Sequence, residues 1–590
     1  MKLRVVRALN LLLVFVPVFG FAAVANPVRI DFSYAGYQAG GQPLPAVPAV
    51  ISVRPSGKDD TDLLQSAIDH VAALPLDAHG YRGAVLLRPG RFHVAGQLRL
   101  NASGVILRGS GSGAAGTTIL ADGLERRTLI QAGGSTDPVL GEAVGVTDET
   151  VAAGSRLLTV ASNFRPERVG DHVVVRRPST REWISAIGMS GLPGTFANQR
   201  LDWQPGSHDL VWDRVITSVN VASSQIELDA PITTALEKKY GAGTVAKVQS
   251  NPAVQHIGIE DLVLDSAYDA TRPKDEDHAW IAIALNHVED GWVRRVTARH
   301  FVSSAVRADQ RARRITVQDC RSESPVAEAG GYRRQGFIVY GQQVLFHRCH
   351  SEAGMNDFAA GLLAAGPNVF LDCEATGSLG ASGAFEGWSS GVLYERVHVP
   401  DSHIELLEDQ NRAQAAGWTA ANSLIWNSEA KSLDVLGPPG SQNYKVESKE
   451  SLYESELADR NLRLPVSAAR AVVAADAYAP DFHDITVQHP ADPPQHPFSI
   501  VNGRFVVDGR LRGASRRTRH GGAAVMGIAP VFVPKTRTAD VKVRTALLQA
   551  IDEVRQNLRH TRAILTRHEA RNASAGGLRS GCQGSSACRL

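Results

Sequence analysis

Five short runs between residues 292 and 397 decide the fold: WVRRV (292–296), ITVQDC (315–320), VLFHRC (344–349), VFLDC (369–373) and VLYERV (392–397). They end on Val296, Cys320, Cys349, Cys373 and Val397, at spacings of 24, 29, 24 and 24 residues. IGIEDLVL (257–264) upstream and SLIWNSEA (423–430) downstream are looser copies. A period of twenty-odd residues built on a short strand of alternating apolar and polar residues marks a solenoid. Each unit is too small to bury its own apolar face and must stack on its neighbours. Three Cys and two Val at one phase therefore predict a ladder of small buried residues inside a parallel β-helix.

The same phase points to candidate site residues. The segment after each anchor varies, then enters another short apolar strand. These segments carry His300 before SSAV, Tyr332, Arg333 and Arg334 before GFIVY, Asn356 and Asp357 before FAAGLL, and Phe385 and Glu386 before GWSSGVLY. Stacked coils lie about 4.8 Å apart. Equivalent positions then form a column, which would bring Arg334, Asp357 and Glu386 together although they are 23 and 29 residues apart.

Length and composition narrow the class. The 590 residues suffice for one large solenoid with additions, and 54 Gly with 29 Pro suit many short, turn-bounded strands. A net charge of +2 argues against bulk attraction to nucleic acid. Lys2, Arg4 and Arg7, the apolar run 11–21 and the small-x-small motif Ala23-Val24-Ala25 read as a signal peptide of residues 1–25. The expected product is a periplasmic or secreted monomer with no membrane association after cleavage. Cys320, Cys349 and Cys373 are expected to be reduced packing residues. Cys582 and Cys588 could pair within a Gly/Ser-rich tail, and no CxxC-type zinc spacing is present.

Along the chain, residues 26–50 read as an extended arm, packed on the body or lining one end of a cleft. SGKDDTDLLQSAIDHVAAL (56–74) reads as an amphipathic helix, with Asp59 and Asp60 at its start rather than as a catalytic pair. Strands AVLLRPGRFHVAG, QLRL and GVILRGSG follow. This order, DDTDLLQSAID and then GAVLLRPGRFHVAGQLRLNASGVILRGSGSG, resembles the N-terminal cap and first coils of the pectate-lyase-like right-handed β-helix superfamily, including the type shared with some β-helical glycosidases. The likeness is close over about residues 50–115 and architectural to about 430. It implies a right-handed parallel β-helix with a helical cap, and action on a polysaccharide. It transfers no catalytic motif: neither the paired-Asp signature of β-helical polygalacturonases nor the Arg signature of pectate lyases is present.

The all-β solenoid domain is expected over residues 26–465, interrupted at about 130–250 by an inserted β-rich segment or lid. There Trp183, Trp203 and Trp212 either stack on sugar rings or form a local core. SLYESELADRNL predicts a helix closing the C-terminal end. Beyond it come a Pro-rich linker (466–498), a hairpin turning at Asn502-Gly503 and a long amphipathic C-terminal helix within 499–572, and a disordered tail (573–590).

Two chemistries suit a solenoid groove. In β-elimination a base takes the proton α to a uronate carboxylate, and a cation stabilises the charge that develops. Arg307, Arg333 or Arg334 could hold the carboxylate, Asp357 and Glu386 could place a Ca²⁺ ion, and His300 could accept the proton. In hydrolysis two carboxylates flank the bond, and Asp357 with Glu386 are the candidates, with Asp275 or Glu276 as substitutes. His278 beside Trp280, and Trp388 beside Glu386, are candidate sugar-binding groups. Elimination on a uronic-acid glycan is the first expectation, hydrolysis the second, and a non-catalytic glycan binder or adhesin the third.

Overall fold

A computed structural model describes residues 30–463, apart from 135, 165–167, 193–194, 197–198, 201, 410–416 and 449, together with the strands Ser499–Val501, Arg504–Val507 and Arg510–Leu511. The expected leader, linker, C-terminal helix and Cys582 and Cys588 lie outside the described residues. Two compact units divide the chain at Gly513, and every described residue belongs to the first. No helix among the described residues is long and apolar enough to cross a membrane.

The body is a right-handed parallel β-helix of three faces. The first face stacks Ala49–Val53, Gly83–Leu87 and Val105–Arg108, and continues through Arg313–Gln318, Gln342–His347, Ala365–Leu371 and Ser389–Glu395. The second stacks Arg321–Glu323, His350–Glu352 and Glu374–Thr376 onto the start of His398–Leu406. The third stacks Ser304–Ala308, Phe337–Val339, Phe358–Ala360 and Ser382–Ala384 onto the end of that same long strand. Each coil crosses the three faces in turn, so alternation along a strand sends every second side chain into the common core.

The predicted ladder is present. Cys320, Cys349 and Cys373 are free thiols, each 1% exposed, and Val296 and Val397 continue the buried line. They sit just past the corner between the first and second faces. Each thiol reaches a carbonyl of the preceding coil, with Cys349 Sγ 3.5 Å from Val317 O and Cys373 Sγ 3.6 Å from Phe346 O. Farther inside, Phe346, Phe370 and Tyr394 stack with centroids 4.7 and 5.0 Å apart. Such offset pairs add about 0.5–1.5 kcal/mol each beyond burial.

The residue before each ladder position is held at positive φ: Asp261 (61°), Arg295 (51°), Asp319 (54°), Arg348 (51°), Asp372 (53°) and Arg396 (50°). Left-handed backbone disfavours a side chain by roughly 1–2 kcal/mol. Here the side chains alternate in sign, and each Arg forks onto the Asp of the coil before it. The Nε–Oδ1 distances are 2.5 Å (Arg295–Asp261), 2.7 Å (Arg348–Asp319) and 2.5 Å (Arg396–Asp372). A second bond of 2.8 to 2.9 Å completes each fork. Planar bidentate pairing of this kind is the strong form of an ion pair.

The N-terminal helix is Thr61–Ala72, with Leu63, Leu64, Ala67, Ile68 and Val71 buried against the first coils. Asp59 Oδ1 accepts from Thr61 N, and Asp60 accepts from Ser56 N and His93 N, so this pair shapes the helix start. The arm packs on the outside of the first face, where Tyr37 meets Trp292 edge-on at 5.5 Å. The helix Leu452–Arg463 joins it there, with Phe32 N donating to Glu456 Oε2 at 2.7 Å. Ser499–Val501 pairs antiparallel with Arg504–Val507, Val501 facing Arg504.

Residues 139–250 form the insertion, a six-stranded sheet outside the solenoid ladder whose internal pairings include antiparallel pairs. Its core gathers Trp183, Trp203 and Trp212, at 3%, 4% and 0% exposure, against Trp388 of the solenoid. The local-core reading of these tryptophans is the one realised.

Candidate functional site

The expected column splits in two. Register pairs Phe337 with Phe358 and Ala359 with Gly383. Asp357 thus precedes the third-face strand of its coil, and the matching position on the next coil is Ala381. Glu386 follows that strand instead. The phase assigned to Glu386 from sequence was wrong by a whole strand, so Asp357 and Glu386 lie at opposite edges of the third face and form no carboxylate pair.

The side chains explain the rest. Asp357 is fully buried; its Oδ1 accepts from Ser351 Oγ (2.7 Å) and Gly354 N (3.1 Å), and its Oδ2 from Ser378 Oγ (2.6 Å). It is a turn anchor. Burial raises its pKa against those hydrogen bonds. Arg334 turns onto the Ala327 and Ala353 carbonyls. Trp388 is 0% exposed and presents no ring face. No group of three or more His, Cys, Asp or Glu disposed to hold a metal occurs among the described residues.

Where the second face turns to the third, on the earlier coils, the structure brings together six other candidates: Asp275, Glu276, His278, Trp280, His300 and Arg333. His300 Nδ1 lies 2.7 Å from Asp265 Oδ1. His278 is buried, with Nδ1 on Ser266 Oγ and Nε2 on the Asp275 and Val326 carbonyls. Burial lowers its pKa. Arg333 pairs with Glu276 and stands 5.4 Å from the Trp280 ring centroid, with Arg126 at 5.5 Å. These bonds satisfy one another, and the loop is held by its own charges. Arg307 points outward from the third face and pairs with Asp309 at 2.9 Å.

Glu386 keeps more chemical interest. It is 8% exposed, with Oε2 accepting from Leu362 N at 2.7 Å, and its second partner is Tyr332. Burial holds its carboxyl above the usual range despite those bonds. Burial, aided by the Glu386 charge, pushes the Tyr332 hydroxyl up to about 12.

Beside this pair, over the last coils of the third face, opens a groove of about 660 Å³. That lies within the roughly 300–1,000 Å³ usual for ligand sites. Its floor is the run SLGASGA (378–384), whose residues other than Leu379 are small and leave the volume open. A Cβ on Gly383 would sit 2.1 Å from Glu405 O, so the two coils touch backbone to backbone there. Gly330 and Gly331 close one side, and the lining carries Asp401, His403, Glu405 and Glu408 and, among the described residues, no Lys or Arg.

These groups follow from strand periodicity. In DSHIEL (401–406), Ile404 and Leu406 are buried in the core, so His403 and Glu405 face out. The next coil repeats the pattern. His403 registers with Ser432 and Glu405 with Asp434. His403 Nδ1 is 2.7 Å from Ser432 Oγ, which in turn hydrogen-bonds to Asp434. The sequence signal for these groups is the period-two alternation of Asp401, His403 and Glu405.

No family profile matches the chain, and no curated protein matches it. Among solved structures, it is similar to the tailspike protein gp49 of Pseudomonas phage LKA1, at 11% identity and TM-score 0.33, over 62% of this chain and 56% of that one. It is also similar to a 1,3-α-1,4-β-D-galactose-4-sulfate-3,6-anhydro-D-galactose-2-sulfate 4 galactohydrolase (9%, TM-score 0.32, 69% and 93%). A third is PfbA, a surface adhesin of Streptococcus pneumoniae (9%, TM-score 0.30, 68% and 73%). The chain thus spans little more than half the length of the tailspike.

Proposed function

We propose that the protein is an exported glycoside hydrolase that cleaves a neutral polysaccharide over the third face, with Glu405 and Asp434 as its carboxylate pair. The register partnership of these two residues, beside a groove lined among the described residues by no Lys or Arg, carries the reading. One carboxyl must protonate the leaving oxygen while the other acts as nucleophile or base. Register partners on parallel strands have Cα atoms about 4.8 Å apart. That suits the carboxyl separation of about 5–5.5 Å of retaining enzymes rather than the wider gap of inverting ones. Glu405, which lines the groove, is the acid–base; Asp434, oriented by Ser432, is the nucleophile.

The geometry favours hydrolysis over elimination for a physical reason. A uronate carboxylate needs a cation beside it, and none of the described residues that line the groove is Lys or Arg. Arg307 faces outward on the same side but four coils before Glu405, about 19 Å at the usual strand spacing, and Asp309 already neutralises it.

Purified mature protein would be incubated with xylan, galactomannan and agarose, and separately with polygalacturonate and alginate, each with calcium or with EDTA. Reducing ends and the ultraviolet absorbance of unsaturated products would be read in parallel. New ends on a neutral glycan without absorbance are expected. Absorbance on an acidic glycan would replace hydrolysis by elimination, and loss with EDTA would restore the calcium site. Retention on a glycan column without cleavage would leave a binding solenoid. The mass of the exported chain tests removal of residues 1–25.

A further inference from the structure

Two histidines of the solenoid are held differently. His278 is buried and commits both ring nitrogens to the protein, Nδ1 to Ser266 Oγ at 2.8 Å and Nε2 to the Asp275 and Val326 carbonyls. His403 commits one. Its Nδ1 lies 2.7 Å from Ser432 Oγ, while no described residue hydrogen-bonds its Nε2, which is not sealed from solvent. The ring lines the groove with Glu405, two residues on along the same strand and therefore on the same face, about 6.6 Å away at the usual strand rise. Donor counting fixes the ring. Asp434, the nucleophile of the reading above, is ionised, and a carboxylate in that form only accepts; a serine hydroxyl has one hydrogen to give. Ser432 Oγ donates that hydrogen to Asp434 Oδ2. Toward His403 it can only accept, so Nδ1 carries the ring proton. In the neutral imidazole the other nitrogen is then an acceptor. What the ring offers the groove is a lone pair, not an N–H.

We propose that His403 is a specificity-determining residue: its Nε2 accepts a hydrogen bond from a free hydroxyl of the sugar beside the scissile bond, in the tautomer set by Ser432 and Asp434. The substrate class narrows to neutral glycans unsubstituted at that hydroxyl. An ether or ester oxygen there has no hydrogen to give, and two acceptors then face each other. A site built to bond a substrate hydroxyl discriminates against the analogue lacking it, because its own polar group is left unpaired. This deepens the hydrolase reading and rests on it for the charge of Asp434 and for the bond that is cut. Ser432 is a positioning residue that acts through the ring.

The test uses the full chain, with oligosaccharides of xylan, galactomannan and agarose, each unmodified and lightly O-methylated. Binding is read by calorimetry in a Glu405→Gln background, and cleavage with Glu405 intact. Unmodified sugar should bind roughly tenfold more tightly than its methylated counterpart, the worth of one hydrogen bond. Two substitutions separate recognition from bracing. The Asn amide reaches the position of Nδ1 and still donates to Ser432, but places nothing at Nε2. The Gln amide places an oxygen near Nε2 and gives up Ser432. His403→Asn should therefore lose roughly tenfold in affinity and most of the discrimination, while His403→Gln keeps more of both. A ring that only braces Ser432 would give the reverse order, and that order overturns the proposal. Ser432→Ala frees the ring to carry its proton on Nε2, where it can donate to an ether oxygen, so the preference for unmodified sugar should fall several-fold. An unchanged preference would mean that the methyl group is refused on size alone, and it too overturns the proposal. The hydrolase reading fails separately. The expected order of Asn and Gln, without cleavage by the wild type, keeps His403 as the acceptor of a binding solenoid and overturns the hydrolase. Cleavage of methylated and unmodified chains at one rate overturns the assignment of His403 and leaves hydrolysis standing. No binding to any of the glycans overturns both.

Discussion

Two columns of charged side chains run along this solenoid on the same coil spacing of about 4.8 Å, and they are built to opposite rules. At the corner between the first and second faces, Asp and Arg alternate from Asp261 to Arg396, and every Arg forks onto an Asp. On the outer third face, Glu405 stands beside Asp434, a carboxylate next to a carboxylate. Stacking amplifies whatever is placed in register. Opposite charges lock coils together, whereas like charges in register repel. A stable fold tolerates the second arrangement where something else, such as a substrate, makes use of it.

The largest effect should come from the carboxylate column. Glu405→Gln should lower activity about 10²–10⁴-fold, the usual worth of an acid–base group, with Tm unchanged. A residual rate near that of the wild type on the neutral glycans would remove Glu405 from the chemistry and with it the functional contrast between the columns.

Next in size is the balanced column. Arg348→Asp would set three carboxylates in a row between Asp319 and Asp372. The pairs are partly exposed, so denaturant unfolding should show a loss of roughly 1–2 kcal/mol. No loss would mean that the alternation is decorative.

The two columns should also answer oppositely to pH. Burial works to raise Asp319 and Asp372, but hydrogen bonds and charge from Arg348, and from His347 and Arg396, win and hold both below the usual carboxylate range. Their stabilisation is complete above the unfolded pKa of about 4 and is lost as pH falls through their lower folded values. Melting curves of Arg396→Ala should therefore differ from wild type at neutral pH and converge on it in strong acid. Glu386 behaves the other way. Its folded pKa is raised by burial, so its ionisation costs stability as pH rises from the unfolded value through the folded one. Glu386→Gln, which can still accept from Leu362 N, should raise Tm at neutral pH by on the order of 1–2 °C for a domain of this size, and by nothing in acid. This is the smallest effect, and an equal rise at both pH values would assign it to packing rather than charge.

The corner column was legible in the residues themselves, since Arg295, Asp319, Arg348, Asp372 and Arg396 each precede a ladder position at the spacing that revealed the repeat. The ladder and the helical cap were legible for the same reason: local period and turn residues specify them. The site was not. Glu386 was placed one strand out of phase because the loops between faces differ in length, and a count from Cys373 cannot tell which strand it has reached. Asp357 looked like a groove residue until Ser351, Gly354 and Ser378 closed around it.

The sequence by itself determined a parallel solenoid, the phase of its buried ladder and the ladder residues that line its interior, because each of these repeats once per coil and needs only neighbouring residues to define it. Tertiary structure alone decided which outward side chains share a groove. Glu405 meets Asp434, Tyr332 reaches Glu386 and Trp388 disappears beneath the insertion only after variable loops have been threaded. Those contacts join positions 29, 54 and more than 150 residues apart, and no local pattern carries the length of the path between them.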